Sequence, residues 1–427
     1  MEKPVLNRRL IASLSAWCLY DWASSSFSVN VTTFIFATYF TTHIAVNEIT
    51  GTYQWANATS FAGILIAILS PLVGAIADHG GHHKAWLSFF TLLCIISTAL
   101  LWFAYPHPQF VYYTLILVIL GTIGFEVALV FYNAFLPSLA PKNMIGRISG
   151  IGWGCGYIGG IVSLAFMLFV FIRSHVAWLP TQQAADIRIT GPFVAIWYAL
   201  FALPLFFIVP DLSIAKQHTF RKVISAGCKE LSQTLKKLPQ EKNMLLYLIA
   251  HMIYADGMNT LFAFGGIYAA GTFGMSFQEV LVFGITMNIT AGIGAIALGF
   301  MDDWLGSKKT IMTSLSFLIL LGIPLLLLKQ KYYFWIVALL LCLFVGPVQS
   351  ASRSLMTRLI ITRESKTEMF GLYALSGKIT AFIGPWLLGL STYIFQSQRF
   401  GMATVVVFFI IGMTLISFVS EEQPLSL

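Results

Sequence analysis

Charge is scarce in this chain. Only 10% of its 427 residues are Asp, Glu, Lys or Arg, against about 25% in an ordinary soluble domain. A soluble globule of this length could not cover itself with so little polar surface, so that class is excluded. Cysteine is scarce too. Cys18, Cys94, Cys155, Cys228 and Cys342 form no CxxC pair, and four of them lie inside apolar runs. This pattern supplies neither a disulfide framework nor a zinc site, and it reads as buried packing thiols. The chain has no Walker loop, no H-E-x-x-H and no nucleophile elbow. A transport ATPase or intramembrane hydrolase therefore lacks its catalytic residues, and neither enzymatic activity nor a cofactor is expected. The short alternating strands of a porin-type barrel are also missing.

Apolar residues are what the chain has instead. They make up 58% of it, with a mean hydropathy of +0.81. Twelve segments are long enough to cross a hydrocarbon core of about 30 Å: 11–42, 53–77, 85–105, 110–139, 145–172, 189–209, 244–271, 277–300, 309–328, 332–357, 369–395 and 400–420. Backbone groups in lipid must be paired internally, so these runs predict an all-α membrane protein. Lys3, Arg8 and Arg9 precede a first run that is too long for a signal peptide, which makes it an uncleaved span. Tyr53, Trp55, Trp178, Tyr332 and Tyr333 stand near segment ends, as interface anchors do.

The charges fall on the two sides of such a bundle unequally. Loops on the side of the N-terminus hold eighteen Lys and Arg; the other side holds Arg173, Arg188, Lys329, Lys331 and Arg399. The positive-inside rule then predicts a multi-pass inner-membrane protein with both termini cytoplasmic. The net charge of +8 is a topology signal and a contact with the lipid bilayer, not a nucleic-acid footprint. The one long hydrophilic stretch, 211–243, has apolar Phe220, Val223, Ile224, Cys228 and Leu231 at helical spacing. It reads as an amphipathic cytoplasmic linker.

The chain also repeats itself. Gly74, Asp78, Gly81 and Lys84 recur as Gly299, Asp303, Gly306 and Lys309, both sets spelling G-x-x-x-D-x-x-G-x-x-K at an offset of 225. The pattern describes a tight turn between helices. Gly permits close approach and positive φ. Asp can cap the next helix or pair with a neighbouring cation, and Lys sits at the membrane surface. Two six-helix pseudo-repeats follow, 1–210 and 244–427, joined by the linker. His79, His82 and His83 beside Asp78 match no common metal-ligand spacing, and no metal is expected. Gly154-Cys-Gly156-Tyr-Ile-Gly159 matches a dinucleotide fingerprint but follows no strand. With Gly152, Gly156 and Gly160 four apart, it reads as a small-residue packing stripe.

The repeated loop resembles the signature loop of the major facilitator superfamily, with His79 and Trp304 where a basic residue usually follows the Asp. Further stretches are similar to the vacuolar amino-acid effluxer (autophagy-related) family and its bacterial relatives: Tyr20-Asp21-Trp22-Ala23, Phe131 to Pro137, Gly146 to Gly150, Gln349 to Leu355 and Phe370 to Lys378. The resemblance implies the major facilitator fold and solute transport by alternating access. It also implies a central cavity lined by segments one, four, seven and ten.

Five ionisable residues stand inside apolar segments: Asp21, Glu126, Asp256, Arg353 and Lys378. At roughly 3 kcal/mol each at a helix centre, they must face water or one another rather than lipid. Helical spacing puts Asp21 on a face with Trp17, Ser24, Ser25 and Ser28, and Glu126 two turns from Asn133. It also puts Asp256 with Asn259 and Thr260, and Gln349 with Arg353. Asp21, Glu126, Asn133, Asp256, Asn259, Gln349, Arg353 and Lys378 are therefore the candidate substrate and proton cavity. Arg353 or Lys378 can take a carboxylate. Asp21, Glu126 or Asp256 can take an ammonium group, or a proton in a partly dry cavity. Interhelical pairing that latches a gate is the alternative, above all for Arg353. The expectation is a proton-coupled, monomeric transporter of a small polar solute, zwitterionic or anionic and amino-acid-like. A carboxylate-rich metal chelate as cargo, and a non-transporting sensor of the same fold, remain alternatives.

Overall fold

The structure is a computed structural model, and it describes residues 8–172, 182–212, 220–275, 277–361, 363 and 365–421. Lys3, Arg173, Trp178 and Lys216 lie outside the described residues. Six crossings come first: α1 (Arg8–Phe27), α2 (Glu48–Gly80), α3 (His83–Leu100), α4 (Val111–Leu139), α5 (Ile145–Phe166) and α6 (Thr190–Ile208). The linker helix α7 (Phe220–Lys237) follows. The second set is α8 (Lys242–Phe273), α9 (Phe277–Leu305), α10 (Ser307–Leu327), α11 (Lys331–Ile360), the broken crossing α12 (Lys366–Lys378) with α13 (Ile383–Phe395), and α14 (Gln398–Ser417). Among the described residues this is the twelve-helix, two-repeat fold.

Ten crossings are long and apolar enough to span a bilayer by composition alone. The other two are α1 and α8, and polarity is the reason. α1 carries Asp21 and a run of serines; α8 carries His251, Asp256, Asn259 and Thr260. Beyond Phe27, α1 continues through wider π-type turns at Ser28–Thr33 and Phe40–Ile44. Thr32 and Thr33 both donate their hydroxyls to the Ser28 carbonyl, and such back-bonding competes with the regular ladder.

Each half has its own hydrophobic core. One is built from residues between Ala16 and Val209. The other lies between Met244 and Val419, with Val130 and Ala134 of α4 added. In the first, Tyr20 stacks on Tyr132, and its hydroxyl bonds to Thr91 and Tyr198. The linker helix lies against α2, where a side chain at Gly227 would strike the Ile76 backbone at 2.7 Å. The cysteines are all free; Cys94 is buried, while Cys228 is exposed, contrary to a uniform packing role.

The eleventh crossing is not the continuous span expected over 369–395. It breaks at 379–382, immediately after Lys378. Pro385 sits three residues into α13, where it has no N–H to donate and crowds the preceding turn.

Candidate functional site

The repeated loops lie at one end of the bundle, called here the loop end. Each loop reaches across to the other half. Asp78 Oδ2 accepts the Glu368 amide of α12 at 2.7 Å. Asp303 accepts the Gly146 amide at 2.7 Å and that of Arg147 at 3.2 Å, both of α5, and pairs with Arg147 Nε at 2.6 Å. Both aspartates thus cap a helix, but in the opposite half rather than the next helix along. Free amides at a helix start and the local dipole favour an anion there.

The two loops differ by one residue, which corrects the sequence register. Gly81 and His82 separate α2 from α3, both at positive φ (76° and 61°), whereas Gly306 alone (φ 94°) separates α9 from α10. Past the turn, the partners therefore shift by one. Lys84 Nζ caps the end of α6 through the Phe206 and Val209 carbonyls. Its counterpart is Lys308, bonded to the Ser417 carbonyl at 2.6 Å, while Lys309 is exposed. The tasks of Asp78 are likewise divided. Asp78 also pairs with His83, five residues on; in the second loop Asp302 bonds Ser307, five residues on, and pairs with Arg358.

Close backbone contact seals this end. A side chain at Gly74 would meet the Thr367 carbonyl at 2.7 Å, and one at Gly150 the Ala295 carbonyl at 2.3 Å. Gly371 is equally tight against Pro71. The glycines at 152, 156 and 160 do pack, all of them against α1.

Just inside the seal, three of the predicted residues meet. Arg353 is 3% exposed. Its Nη1 donates to Asp21 at 3.1 Å and Asn133 at 3.3 Å, while Nε and Nη2 go to the Ser149 hydroxyl and carbonyl. Its guanidinium lies over the Trp17 ring, 4.8 Å from the centroid. Asp21 also accepts the Tyr132 hydroxyl at 2.7 Å. Gln349, one turn along from Arg353, accepts from Tyr157 of α5. This cluster joins the two halves through four hydrogen bonds from the arginine to protein groups.

The next layer is different. Lys378 Nζ lies 2.7 Å from Glu126 Oε1, again across the halves, but the two side chains keep 32% and 21% of their exposure. Lys378 ends the 13-residue α12, roughly 18 Å from its start and so near mid-depth of a ~30 Å core. The face expected to unite Asp256, Asn259 and Thr260 is divided. Asn259 is exposed and reaches the Gly377 carbonyl at 3.4 Å. Asp256 and Thr260 are buried against Gly384 of α13. Asp256 Oδ2 accepts the Gly384 amide at 3.1 Å.

Residues 43–425 match the family described as vacuole effluxer Atg22 like. The chain belongs to that family. It is 27% identical over 424 residues to the uncharacterized MFS-type transporter YxiO of Bacillus subtilis (strain 168), covering 98% of this chain and 97% of the relative. It is 22% identical to autophagy-related protein 22 of Kluyveromyces lactis, covering 84% and 77%. Its fold is similar to that of the major facilitator transporter FucP in the outward conformation, with a TM-score of 0.75, 15% identity, and 97% and 100% of the two chains covered. The chain is therefore a multi-pass membrane transporter of the major facilitator type, not an enzyme.

In this Atg22-like transporter several residues of the site escaped sequence reasoning. Asp302, Arg358 and Glu421 form a charge cluster behind the second loop. A second acidic residue beside Asp303 was its only sequence mark. His251 is buried, stacks on Tyr373 with centroids 4.1 Å apart, and bonds Ser376 at 2.7 Å. A histidine five residues before a membrane-embedded aspartate was a usable signal there. The break after Lys378 was announced only by Gly384-Pro385 within an apolar run.

Proposed function

We propose that the chain is a secondary active transporter of a small zwitterionic solute, with amino acids as the first class to test. One observation carries this reading: the partly exposed Glu126–Lys378 pair, which joins the two halves at mid-depth. A carboxylate and an ammonium one hydrogen bond apart mirror the two ends of a zwitterion. A bound amino acid replaces the pair, its ammonium on Glu126 and its carboxylate on Lys378. Lys378 sits at a helix break, as substrate-contacting residues of transporters with discontinuous helices do. The Arg353–Asp21 cluster is buried and internally satisfied, which supports the role of gate latch over that of substrate contact.

In this reading residues 1–210 rock against 244–427, with 211–243 as the linker. The loop end is cytoplasmic, by the excess of Lys and Arg on that side, in an inner membrane with both termini inside. The present state is closed at the cytoplasmic end, which agrees with its likeness to an outward conformation of FucP. Coupling is to protons, and the working unit is a monomer.

The test is uptake by purified protein in proteoliposomes, with an amino-acid panel and an imposed pH gradient. Flux of at least one amino acid is expected to rise with the gradient. Glu126→Gln and Lys378→Gln should each cut it at least tenfold, since a lost charge contact of about 1.4 kcal/mol is a factor of ten. Flux confined to large carboxylate chelates, or none across the panel, would overturn the assignment.

A further inference from the structure

The helix α8 holds the two pieces of the broken crossing separately. On the α12 side, His251 Nδ1 lies 2.7 Å from Ser376 Oγ, and Asn259 Nδ2 donates to the Gly377 carbonyl at 3.4 Å. On the α13 side, Asp256 Oδ2 accepts the Gly384 amide at 3.1 Å. The break at 379–382 lies between these anchor points. α8 therefore spans the break, gripping one piece through a histidine and an amide and the other through a carboxylate.

The carboxylate is the unusual member. Asp256 is 2% exposed, and its Oδ1 is buried without a hydrogen-bond partner among the described residues. No cation pairs with it there. On α8 itself His251 is engaged with Ser376 and stacked on Tyr373. From α12 comes Lys378, engaged with Glu126 of α4. α11 contributes Arg353, which points to Asp21 and Ser149, and Tyr254 of α8 bonds Ser352 of α11. α14 packs Phe408 and Phe409 at Gly257, and its Arg399 is bonded to the Leu326 and Leu328 carbonyls. Of the three acidic residues of α9, Glu279 pairs with Lys331 of α11, Asp302 with Arg358 of α11 and Asp303 with Arg147 of α5. α13 brings no Asp, Glu, Lys, Arg or His. A buried carboxylate with one oxygen unpaired and no countercharge is costly as an anion and cheap as an acid.

We propose that Asp256 Oδ1 is the binding site of the coupling proton, and that protonation releases α13 from α8 at the break. The identity of the proton as coupling ion rests on the transport reading above; the release mechanism stands on the geometry alone. A proton adds to Oδ1 and the carboxylate becomes a neutral acid. The Gly384 amide then loses an ionised acceptor at the start of α13, and such bonds are roughly twice as strong as neutral ones. α13 swings at 379–382, and Lys378, on the other side of the break, changes its angle to Glu126. Gly384 is the seat of this contact. A Cβ there would lie 2.8 Å from Asp256 Oδ1 and 2.1 Å from Thr260 Oγ1, so a larger residue pushes α13 away with the carboxyl intact.

The experiment needs no substrate. Paired spin labels at Ile267 on α8 and Leu390 on α13, both exposed, report the α8–α13 distance in lipid nanodiscs between pH 5 and 9, in a Cys228→Ser background. The wild-type distance is expected to change with pH. D256N and G384A are each expected to lose that change and hold the low-pH distance throughout, while H251Q keeps it. A pH-independent wild type, a persisting change in D256N or G384A, or its loss in H251Q alone would overturn the proposal. If the labels behave as expected but no amino acid moves in proteoliposomes, the hinge stands and the substrate assignment fails.

Discussion

The guanidinium of Arg353 lies 3.1 Å from the carboxylate of Asp21, a residue 332 positions away in the chain. The pair belongs to different halves and sits directly beneath the glycine seal. Its burial, with 4% and 13% side-chain exposure, makes it costly to break one-sidedly. An uncompensated buried charge costs about 3–5 kcal/mol. Asp21→Ala should therefore lower the unfolding midpoint in detergent and expose the loop end. A cysteine introduced at Ser350 should then react faster with a thiol reagent added from that side. Adding Arg353→Ala should cost far less than the sum of the single changes. Additive effects in that double-mutant cycle would show that the pair is not a latch.

The two repeated aspartates should not be equivalent. Asp303 holds three donors of the opposite half, whereas Asp78 holds one, with His83 of its own half as the second partner. Hydrogen bonds to charged groups contribute about 1.5–3 kcal/mol each. Asp303→Asn should open the loop end more than Asp78→Asn, read by the same thiol accessibility.

A methyl group is enough to test the seal. Gly150→Ala places a Cβ 2.3 Å from the Ala295 carbonyl, while Gly389→Ala meets nothing within 4 Å. The first should abolish closure at the loop end and block turnover. The second should leave transport unchanged, and equal effects would remove the backbone seam from the mechanism.

The loop register gives a stability test. Lys308→Ala removes the cap on the Ser417 carbonyl, and Lys309→Ala removes an exposed side chain. A drop of about 1 kcal/mol is expected for the first, from one net hydrogen bond, and within ±0.5 kcal/mol for the second. Thermal unfolding in nanodiscs decides it.

Helix existence and the pairing of charges were legible because both are costs that lipid imposes locally. Asp21, Glu126, Arg353 and Lys378 could not face acyl chains, so a partner for each was implied. Which partner was not, because the contacts cross from one half to the other and no spacing rule reaches that far. The repeat pattern placed Asp78 and Asp303 in like loops, but a loop shorter by one residue moved the lysine cap from Lys309 to Lys308. Composition could not show that Asp302 and Asp303 divide the work of Asp78. The break after Lys378 was hidden for another reason. Ile379 to Phe382 are apolar enough to continue a helix, and only the backbone demands of Gly384-Pro385 stop it.

The glycine seam carries an electrical consequence. Main chain packed on main chain at Gly74, Gly150 and Gly371 leaves no side-chain rotamers to fluctuate open, hence no transient file of water along which ions could slip. A bilayer crowded with idle copies should keep its resistance, with conductance near that of bare lipid.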